Sequence, residues 1–233
     1  MRRNLKRVFE DKDWSEGGSH PKSGFGSSLS YTENLRRALP VLFETYQVRS
    51  FVDAPCGDWA WMQHVDLGGI DYTGLDISSS LIAANRAAHA RDGVSFAVAD
   101  ITSDELPGAD LFMCRDCLFH LKFWLRWEFF RNFEASGSKY LLMTSNSVET
   151  NRNVAENGAF RKFNPTKPPF NFPDPIETIV ETAELNDAGE LVMTSPRGGP
   201  RTLGLWSRAQ VRDVLARYDA TLKEAEQEAQ VEA

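Results

Sequence analysis

The sequence predicts an α/β protein with an open, mostly parallel sheet and helices on both faces. Apolar runs of strand length alternate with longer helical patterns, which is typical of this class. Four consecutive runs end in an acid, namely Asp53, Asp76, Asp100 and Asp116. The carboxyl ends of parallel strands meet at one edge of an open sheet, where such folds bind ligands. The 233 residues suffice for one domain, and the four acids predict a binding crevice along that edge.

The turn after the first strand is the most informative segment. Residues 51–58 form an apolar strand that continues into an acidic turn containing Gly57, and a second strand ends at Asp76. A strand, a tight turn and an acid about 20 residues later is the layout of a nucleoside-binding crevice. The acid accepts hydrogen bonds from the ribose hydroxyls, and the turn lets the backbone approach the ligand. Asp76 is therefore the predicted ribose acceptor.

The chemistry of this turn distinguishes between nucleosides. A dinucleotide site needs several glycines, because backbone amides must close on a pyrophosphate. Here only Gly57 is present, and Asp53 and Asp58 flank it, so a pyrophosphate would be repelled. The two carboxylates suit a ligand with a ribose diol, an ammonium and a second positive centre. S-adenosylmethionine has all three, so the turn favours a methyl donor over NAD.

The third strand supplies an adenine site. Residues 94–101 read as a strand that closes on Asp100, which can accept a hydrogen bond from the adenine amino group. Ile77 and Ile101 follow two of the acids and are placed to sandwich the ring in an apolar slot.

The order of these segments resembles the class I S-adenosylmethionine-dependent methyltransferases. The segments that carry the resemblance are Asp53-Ala54-Pro55-Cys56-Gly57-Asp58, Gly74-Leu75-Asp76, Asp100-Ile101 and Cys114-Arg115-Asp116-Cys117-Leu118-Phe119-His120-Leu121. The resemblance is best over residues 50–145, and it departs from the family in having Ala-Pro-Cys where Gly-x-Gly is usual. It implies a Rossmann-like sheet with an antiparallel hairpin near the C-terminus.

The resemblance also assigns residues to the cofactor. It implies that residues 53–58, including Ala54, Pro55 and Cys56, hold the methionine end. Residues 114–121, including Arg115, would face the transferred methyl group. The implied cofactor is S-adenosylmethionine, with S-adenosylhomocysteine (SAH) as product.

The N-terminal residues 1–30 form a polar segment rich in Gly and Ser, with Trp14 within it. One interpretation is a flexible lead-in. The other is a lid in which Trp14 packs over the cofactor and Ser27 or Ser28 binds its carboxylate.

The methyltransferase domain is expected over residues 31–216. Helices are predicted over 32–46, from a cap at Ser78 or Ser79 to residue 90, over 118–133 and from 207 onward, with 217–233 as a charged helical tail. Further strands are predicted over 140–145, 176–185 and 201–206. The aromatic residues of 118–133 are expected mostly in the core.

Residues 146–175 are long, polar and rich in proline. Structureless insertions of this length are usually functional or disordered. Their phenylalanines argue against disorder, so we interpret the segment as an ordered substrate loop beside the methyl group.

Methyl transfer to a hydroxyl needs alignment and removal of a proton. His120 is the candidate base. It lies four residues after Asp116, so at a helix start both side chains would share one face, and the acid would raise the pKa of the histidine. A structural histidine bonded to the backbone is the alternative.

Composition limits the partners. The net charge of −7 disfavours a nucleic-acid substrate, and no apolar run reaches the roughly 20 residues that span a bilayer. Three cysteines and a basic start without an apolar stretch indicate a cytoplasmic protein. Neither the Cys114-x-x-Cys117 pair nor Asp116 has enough companions in sequence to predict a metal site.

The sequence thus predicts a methyltransferase that acts on a small-molecule or carbohydrate acceptor, most simply on a hydroxyl. A non-catalytic S-adenosylmethionine-binding protein and an NAD-dependent oxidoreductase remain the alternatives. The oligomeric state is not predicted.

Overall fold

The computed structural model describes residues 5–10, 12, 14–181, 183–185, 191–193 and 201–231. The helices are α1 (Leu5–Glu10), α2 (Glu33–Thr45), α3 (Ser79–His89), α4 (Phe123–Ser136) and α5 (Arg208–Val231). The strands are β1 (Ser50–Asp53), β2 (Asp71–Asp76), β3 (Val94–Val98), β4 (Leu111–Cys114), β5 (Tyr140–Asn146), β6 (Glu177–Val180), β7 (Ala183–Leu185), β8 (Leu191–Met193) and β9 (Arg201–Ser207). Residues 1–4 of the predicted N-terminal segment and residues 232–233 of the predicted helical tail lie outside the described residues.

The main sheet has seven strands in the order β3-β2-β1-β4-β5-β9-β6. Strands β1 to β5 are parallel, whereas β9 is antiparallel to both β5 and β6. The order reverses between β1 and β4, and ligands bind at such a switch point in open α/β sheets. This topology confirms the predicted fold class, including the antiparallel strands near the C-terminus.

Helices cover both faces of this sheet. Leu35 and Leu39 of α2 and Ile82 of α3 belong to one buried cluster, and α4 and α5 contribute to the other. The central strands β1, β4 and β5 are largely buried between them, with every residue of β4 in the core. In the part of the chain that the structure describes, no helix is long and apolar enough to cross a membrane.

Two helices begin as the sequence predicts. Helix α2 lies within the predicted 32–46. Ser78 caps α3, because its hydroxyl accepts a hydrogen bond from the backbone N–H of Leu81 at 3.3 Å.

The predicted helix over 118–133 is wrong at its start. Leu118–His120 form a 3₁₀ turn, and α4 begins only at Phe123. The side chains of Asn157 and Asn153 accept hydrogen bonds from the backbone N–H groups of Lys122 and Phe123. The start of α4 is therefore set by residues some 30 positions later, which local patterns do not reveal.

The predicted strand over 176–185 is also divided. Strand β6 ends at Val180, and residues 183–185 pair instead with β8 in a separate two-stranded sheet. Glu181 lies at this break, and its side chain forms buried ion pairs described below. Residue 182 of the predicted strand lies outside the described residues.

Residues 146–175 are ordered by burial of their aromatic side chains. Phe163, Phe170 and Phe172 lie in the core. The side-chain amide of Asn151 donates to the carbonyls of three loop residues, Asn164, Lys167 and Pro168.

Candidate cofactor-binding site

A cavity of about 480 Å³ opens at the carboxyl ends of the parallel strands. The four strand-end acids Asp53, Asp76, Asp100 and Asp116 all line it. Other predicted site residues in its wall are Trp14, Ser27, Pro55, Cys56, Gly57, Ile77, Ile101 and Arg115. Ala54, Asp58 and His120, which were also predicted to belong to the site, are not in the lining. Ala54 is fully buried, and its N–H donates to the carbonyl of Met113.

Asp76 anchors the turn after β1. One of its oxygens accepts a hydrogen bond from the N–H of Gly57 at 3.1 Å, and the other accepts from the N–H of Ser78 at 2.9 Å. Burial raises the pKa of Asp76, and these amides offset part of that effect. Each carboxylate oxygen has a second lone pair, so both can still accept a ligand hydroxyl.

The carbonyl side of this turn is fixed by α3. The amide of Asn85, a buried residue, donates to the Gly57 carbonyl at 2.8 Å. Gly57 has a φ of 57°, in the left-handed region that favours glycine. A Cβ there would lie 2.7 Å from the Cβ of Ser23, so the N-terminal segment packs directly on the turn.

Asp53 is the most deeply buried acid of the cavity wall. Its carboxylate accepts a hydrogen bond from the Tyr72 hydroxyl at 2.8 Å. Burial raises the pKa of Asp53 to about 7, although Tyr72 and the positive charge of Arg115 lower it. A cationic group bound beside Asp53 would stabilise its ionised form.

Asp100 has one oxygen directed to its own turn. Its Oδ1 accepts from the N–H and the hydroxyl of Thr102, at 2.9 and 2.6 Å. None of the described residues donates a hydrogen bond to its Oδ2. Ile77 and Ile101 line the cavity as well, so the polar group of Asp100 and the predicted apolar slot border the same cavity.

The N-terminal segment forms a wall of the cavity. Leu5, Phe9 and Glu10 of α1 line it, as do Trp14 and Ser27, whereas Ser28 does not. The Glu10 carboxylate accepts hydrogen bonds from the N–H groups of Ser79 and Ser80, at 2.9 and 3.0 Å, and so caps α3 from outside. Burial alone would raise the pKa of Glu10, but these amides outweigh it and the pKa is lowered.

A second contact holds this wall to the turn. Asp58 accepts hydrogen bonds from the hydroxyl of Ser23, at 2.5 Å, and from its N–H, at 3.3 Å. Lys22, beside Ser23, also lines the cavity and has no ion-pair partner among the described residues.

An ion cluster lies at the end of β4. Glu181 binds the Nε atoms of Arg115 and Arg201, and Arg201 Nη1 lies 3.0 Å from Asp116. Burial alone would raise the pKa of Asp116, but the two guanidinium groups lower it, so Asp116 is a carboxylate at neutral pH. Asp116 also has a φ of 55°, which is uncommon for a residue other than glycine.

His120 does not form the predicted pair with Asp116. The structure has no hydrogen bond or ion pair between them, because Asp116 is engaged by the two arginines and His120 lies in the 3₁₀ turn. His120 Nδ1 lies 3.1 Å from the carbonyl of Ala159. Burial lowers the pKa of His120, against the contributions of this contact and of Asp116, so the predicted rise is wrong. The ring packs against Trp14, with 4.6 Å between centroids.

Several residues of this site were not predicted from the sequence. Glu181 and Arg201 come from the C-terminal hairpin, and nothing in their local sequence marks them. Glu10 and Asn85 act on backbone groups of distant segments. Ser23 does carry a signal, because it lies in the polar Gly- and Ser-rich segment just before Ser27.

No family model matches the chain, and neither does any curated protein. Solved structures do match in fold. The methyltransferase domain of bacterial CtHen1-CN superposes with a TM-score of 0.53 at 13% identity, covering 77% of this chain and 100% of its own. The chain has the class I methyltransferase fold. Magnesium protoporphyrin IX methyltransferase from Synechocystis PCC 6803, a structure with bound SAH, gives a TM-score of 0.53 at 13% identity, covering 88% of this chain and 93% of its own. An S-adenosylmethionine-dependent methyltransferase from Clostridium acetobutylicum ATCC 824 gives a TM-score of 0.51 at 9% identity, covering 75% of this chain and 90% of its own.

Proposed function

We propose that the protein is an S-adenosylmethionine-dependent methyltransferase that methylates a hydroxyl of a small-molecule or carbohydrate acceptor. The observation that carries this proposal is the cavity at the switch point of the sheet, with a separate acid at the end of each of four strands. The fold agrees with it, and the solved structures named above include one with bound SAH.

The described residues fit each part of S-adenosylmethionine. Asp76 would accept the ribose hydroxyls, and the open oxygen of Asp100 would accept the adenine amino group. Asp53 is buried, and among the described residues its carboxylate accepts a hydrogen bond from the neutral Tyr72 hydroxyl alone, so it would lie against a positive group of the ligand. Lys22 and Ser27, which line the cavity from the N-terminal segment, would bind the carboxylate.

The cofactor supplies an activated methyl group on a sulfonium. The chain must then orient an acceptor, exclude water and remove a proton, and alignment can lower the barrier by about 7–11 kcal/mol. His120 remains the proposed base. Its lowered pKa keeps it neutral at pH 7, and with Nδ1 hydrogen-bonded to Ala159, Nε2 is the atom that would take the proton. The acceptor would reach it along the Trp14 ring.

Asp116 has a different proposed role from the one its sequence position suggests. Its lowered pKa makes it a weak base, and both oxygens face arginine side chains. We assign it to electrostatic support of the methyl-transfer end of the cavity.

A second function is favoured by one observation, namely that His120 is not in the cavity lining. A protein that binds S-adenosylmethionine without turnover would keep the acids and would not need that histidine. An NAD-dependent oxidoreductase fits less well, because the Gly57 N–H is already bonded to Asp76 and two acids flank the turn.

The experiment that tests the proposal is SAH formation from S-adenosylmethionine with a panel of neutral hydroxyl acceptors, comprising phenols, primary alcohols and methyl glycosides. We expect acceptor-dependent SAH for at least one class. The same panel is repeated with matching amines as acceptors. If the protein binds the cofactor but forms no SAH with any hydroxyl or amine, the non-catalytic alternative is favoured.

A further inference from the structure

Glu181 is buried at the centre of the ion cluster beside the cavity, yet it does not line the cavity. Its exposed fraction is 1%, and each of its two carboxylate oxygens binds a different arginine. Oε1 accepts from Arg115 Nε, and Oε2 accepts from Arg201 Nε at 2.5 Å. Among the described residues, the ion pairs of this cluster join two acids, Glu181 and Asp116, to two guanidinium groups.

Arg115 connects Glu181 to the N-terminal wall. Its Nη2 donates to the carbonyl of Gly26, and its guanidinium lies 5.2 Å from the Trp61 ring. Arg115, Trp61 and Ser27, the residue after Gly26, all line the cavity. The position of this guanidinium therefore sets one side of the ligand site.

Arg201 connects Glu181 to Asp116 and Tyr31. It pairs with Asp116 and lies 4.3 Å from the Tyr31 ring. Asp116 holds a left-handed backbone conformation, which is strained for a residue other than glycine and persists where neighbouring groups enforce it. A Cβ on Gly26 would lie 2.6 Å from Asp116 Oδ2, so the wall and this acid are packed directly against each other.

We propose that Glu181 is a positioning residue for the cofactor: it orients Arg115 and Arg201 so that residues 24–31, the part of the N-terminal wall that contributes Ser27 to the cavity, stay packed in place. This inference rests on the proposed function in taking the ligand to be S-adenosylmethionine or SAH. Without the Glu181 charge, the two guanidinium groups would share one acid among the described residues, Asp116. Arg115 would then leave the Gly26 carbonyl, and the wall would open more often.

The test compares Glu181→Gln with Asp219→Asn. Asp219 also binds a guanidinium with both oxygens, that of Arg131, but it joins α4 to α5 away from the cavity. SAH release is measured by surface plasmon resonance, wall opening by amide hydrogen exchange at residues 24–28, and stability by urea unfolding. Gly26→Ala is included because it disturbs the same junction and keeps every charge of the cluster.

We expect Glu181→Gln to release SAH about tenfold faster, with faster amide exchange at residues 24–28. Asp219→Asn should release SAH within twofold of the wild-type rate even where it loses stability. If Glu181→Gln does not fold, Gly26→Ala tests the junction through which Glu181 would act: it should release SAH faster, and wild-type release from it would overturn the inference.

Wild-type release from a folded Glu181→Gln protein, or an equal change in Asp219→Asn, would overturn the inference. A wild-type protein that binds no SAH would instead contradict the proposed function. In that case unchanged exchange at residues 24–28 in Glu181→Gln would separately overturn the positioning role.

Discussion

Asp76 accepts a hydrogen bond from the backbone N–H of Gly57, so the predicted ribose acceptor also holds the turn that follows β1. The same carboxylate accepts from the N–H of Ser78 at the start of α3. One side chain therefore fixes the two segments that border the cavity at this point.

Replacing Asp76 with Ala should weaken SAH binding by about 1.5–3 kcal/mol, the range for hydrogen bonds to charged groups. This corresponds to a factor of about 10–150 in Kd. Titration calorimetry measures it, and Asp71→Ala is the control, since Asp71 begins the same strand at its opposite end. Near-wild-type affinity in Asp76→Ala would reject the ribose assignment.

Binding of S-adenosylmethionine should depend on pH through Asp53. Its pKa of about 7 means that the free protein carries a proton there in mild acid, and a cationic ligand favours loss of that proton. Affinity should therefore rise as the pH increases from 5.5 to 7.2, by up to about tenfold per unit below the pKa, before the α-amino group of the ligand titrates. Asp53→Asn should flatten this profile, and a flat wild-type profile would be the contrary result.

The same raised pKa has a consequence for stability. Between pH 4 and 7 the folded protein binds a proton at Asp53 that the unfolded chain does not, so this group makes the free energy of unfolding decrease as pH rises. Urea unfolding of wild type and Asp53→Asn at pH 5 and 7.5 isolates the contribution. The free energy of unfolding of Asp53→Asn, relative to that of the wild type, should be higher at pH 7.5 than at pH 5.

Removing the Glu10 carboxylate should loosen the N-terminal wall. Glu10→Ala loses the contacts with the N–H groups of Ser79 and Ser80, and a helix cap is typically worth about 0.5–2 kcal/mol. Because a closed wall is part of the binding-competent state, SAH affinity should fall by about three- to tenfold. Glu44→Ala, on the exposed side of α2, serves as the control. Equal affinities for both variants would mean that α1 does not contribute to binding.

His120→Ala should leave SAH affinity within a few fold and slow turnover by more than about a hundredfold, since a base contributes typically 10²–10⁴-fold. Turnover of the wild type should fall as the pH drops through the lowered pKa of His120, below its ordinary value of 6.5, because only the neutral ring accepts a proton. Steady-state rates against an identified acceptor provide both measurements. Unchanged turnover in His120→Ala would remove it from the mechanism.

The loop of residues 146–175 should prove to be part of the folded core. Phe163 is 0% exposed, with Arg126 over its ring at 4.7 Å, whereas Phe160 is 50% exposed. Phe163→Ala should reduce the free energy of unfolding by about 3–5 kcal/mol, and Phe160→Ala by much less. Similar urea midpoints for the two variants would contradict this account of the loop.

The sequence predicted the features that depend on local order. An apolar run that ends in an acid places that acid at one edge of a parallel sheet, so Asp53, Asp76, Asp100 and Asp116 were expected together. A cap was expected at Ser78 or Ser79 because these serines open the helical pattern of α3, and Ser78 is the one that caps it.

Features that depend on distant partners were not predictable in the same way. The start of α4 is set by Asn153 and Asn157, and Asp116 is engaged by Arg201 rather than His120. An acid four residues before a histidine would pair with it on a regular helix, but the 3₁₀ turn at residues 118–120 removes that geometry. Periodicity does not encode such contacts, because they arise from the tertiary fold.

The most direct test of the account is thermal unfolding of the wild-type protein with S-adenosylmethionine, SAH or NADH and without ligand. At a hundredfold excess over Kd a true ligand adds about 2.7 kcal/mol of stability, which raises Tm by roughly 5–10 °C in a domain of this size. We predict this shift with S-adenosylmethionine and SAH and none with NADH. A rise in Tm with NADH alone, or no rise with any of the three ligands, would contradict the assignment of the cavity.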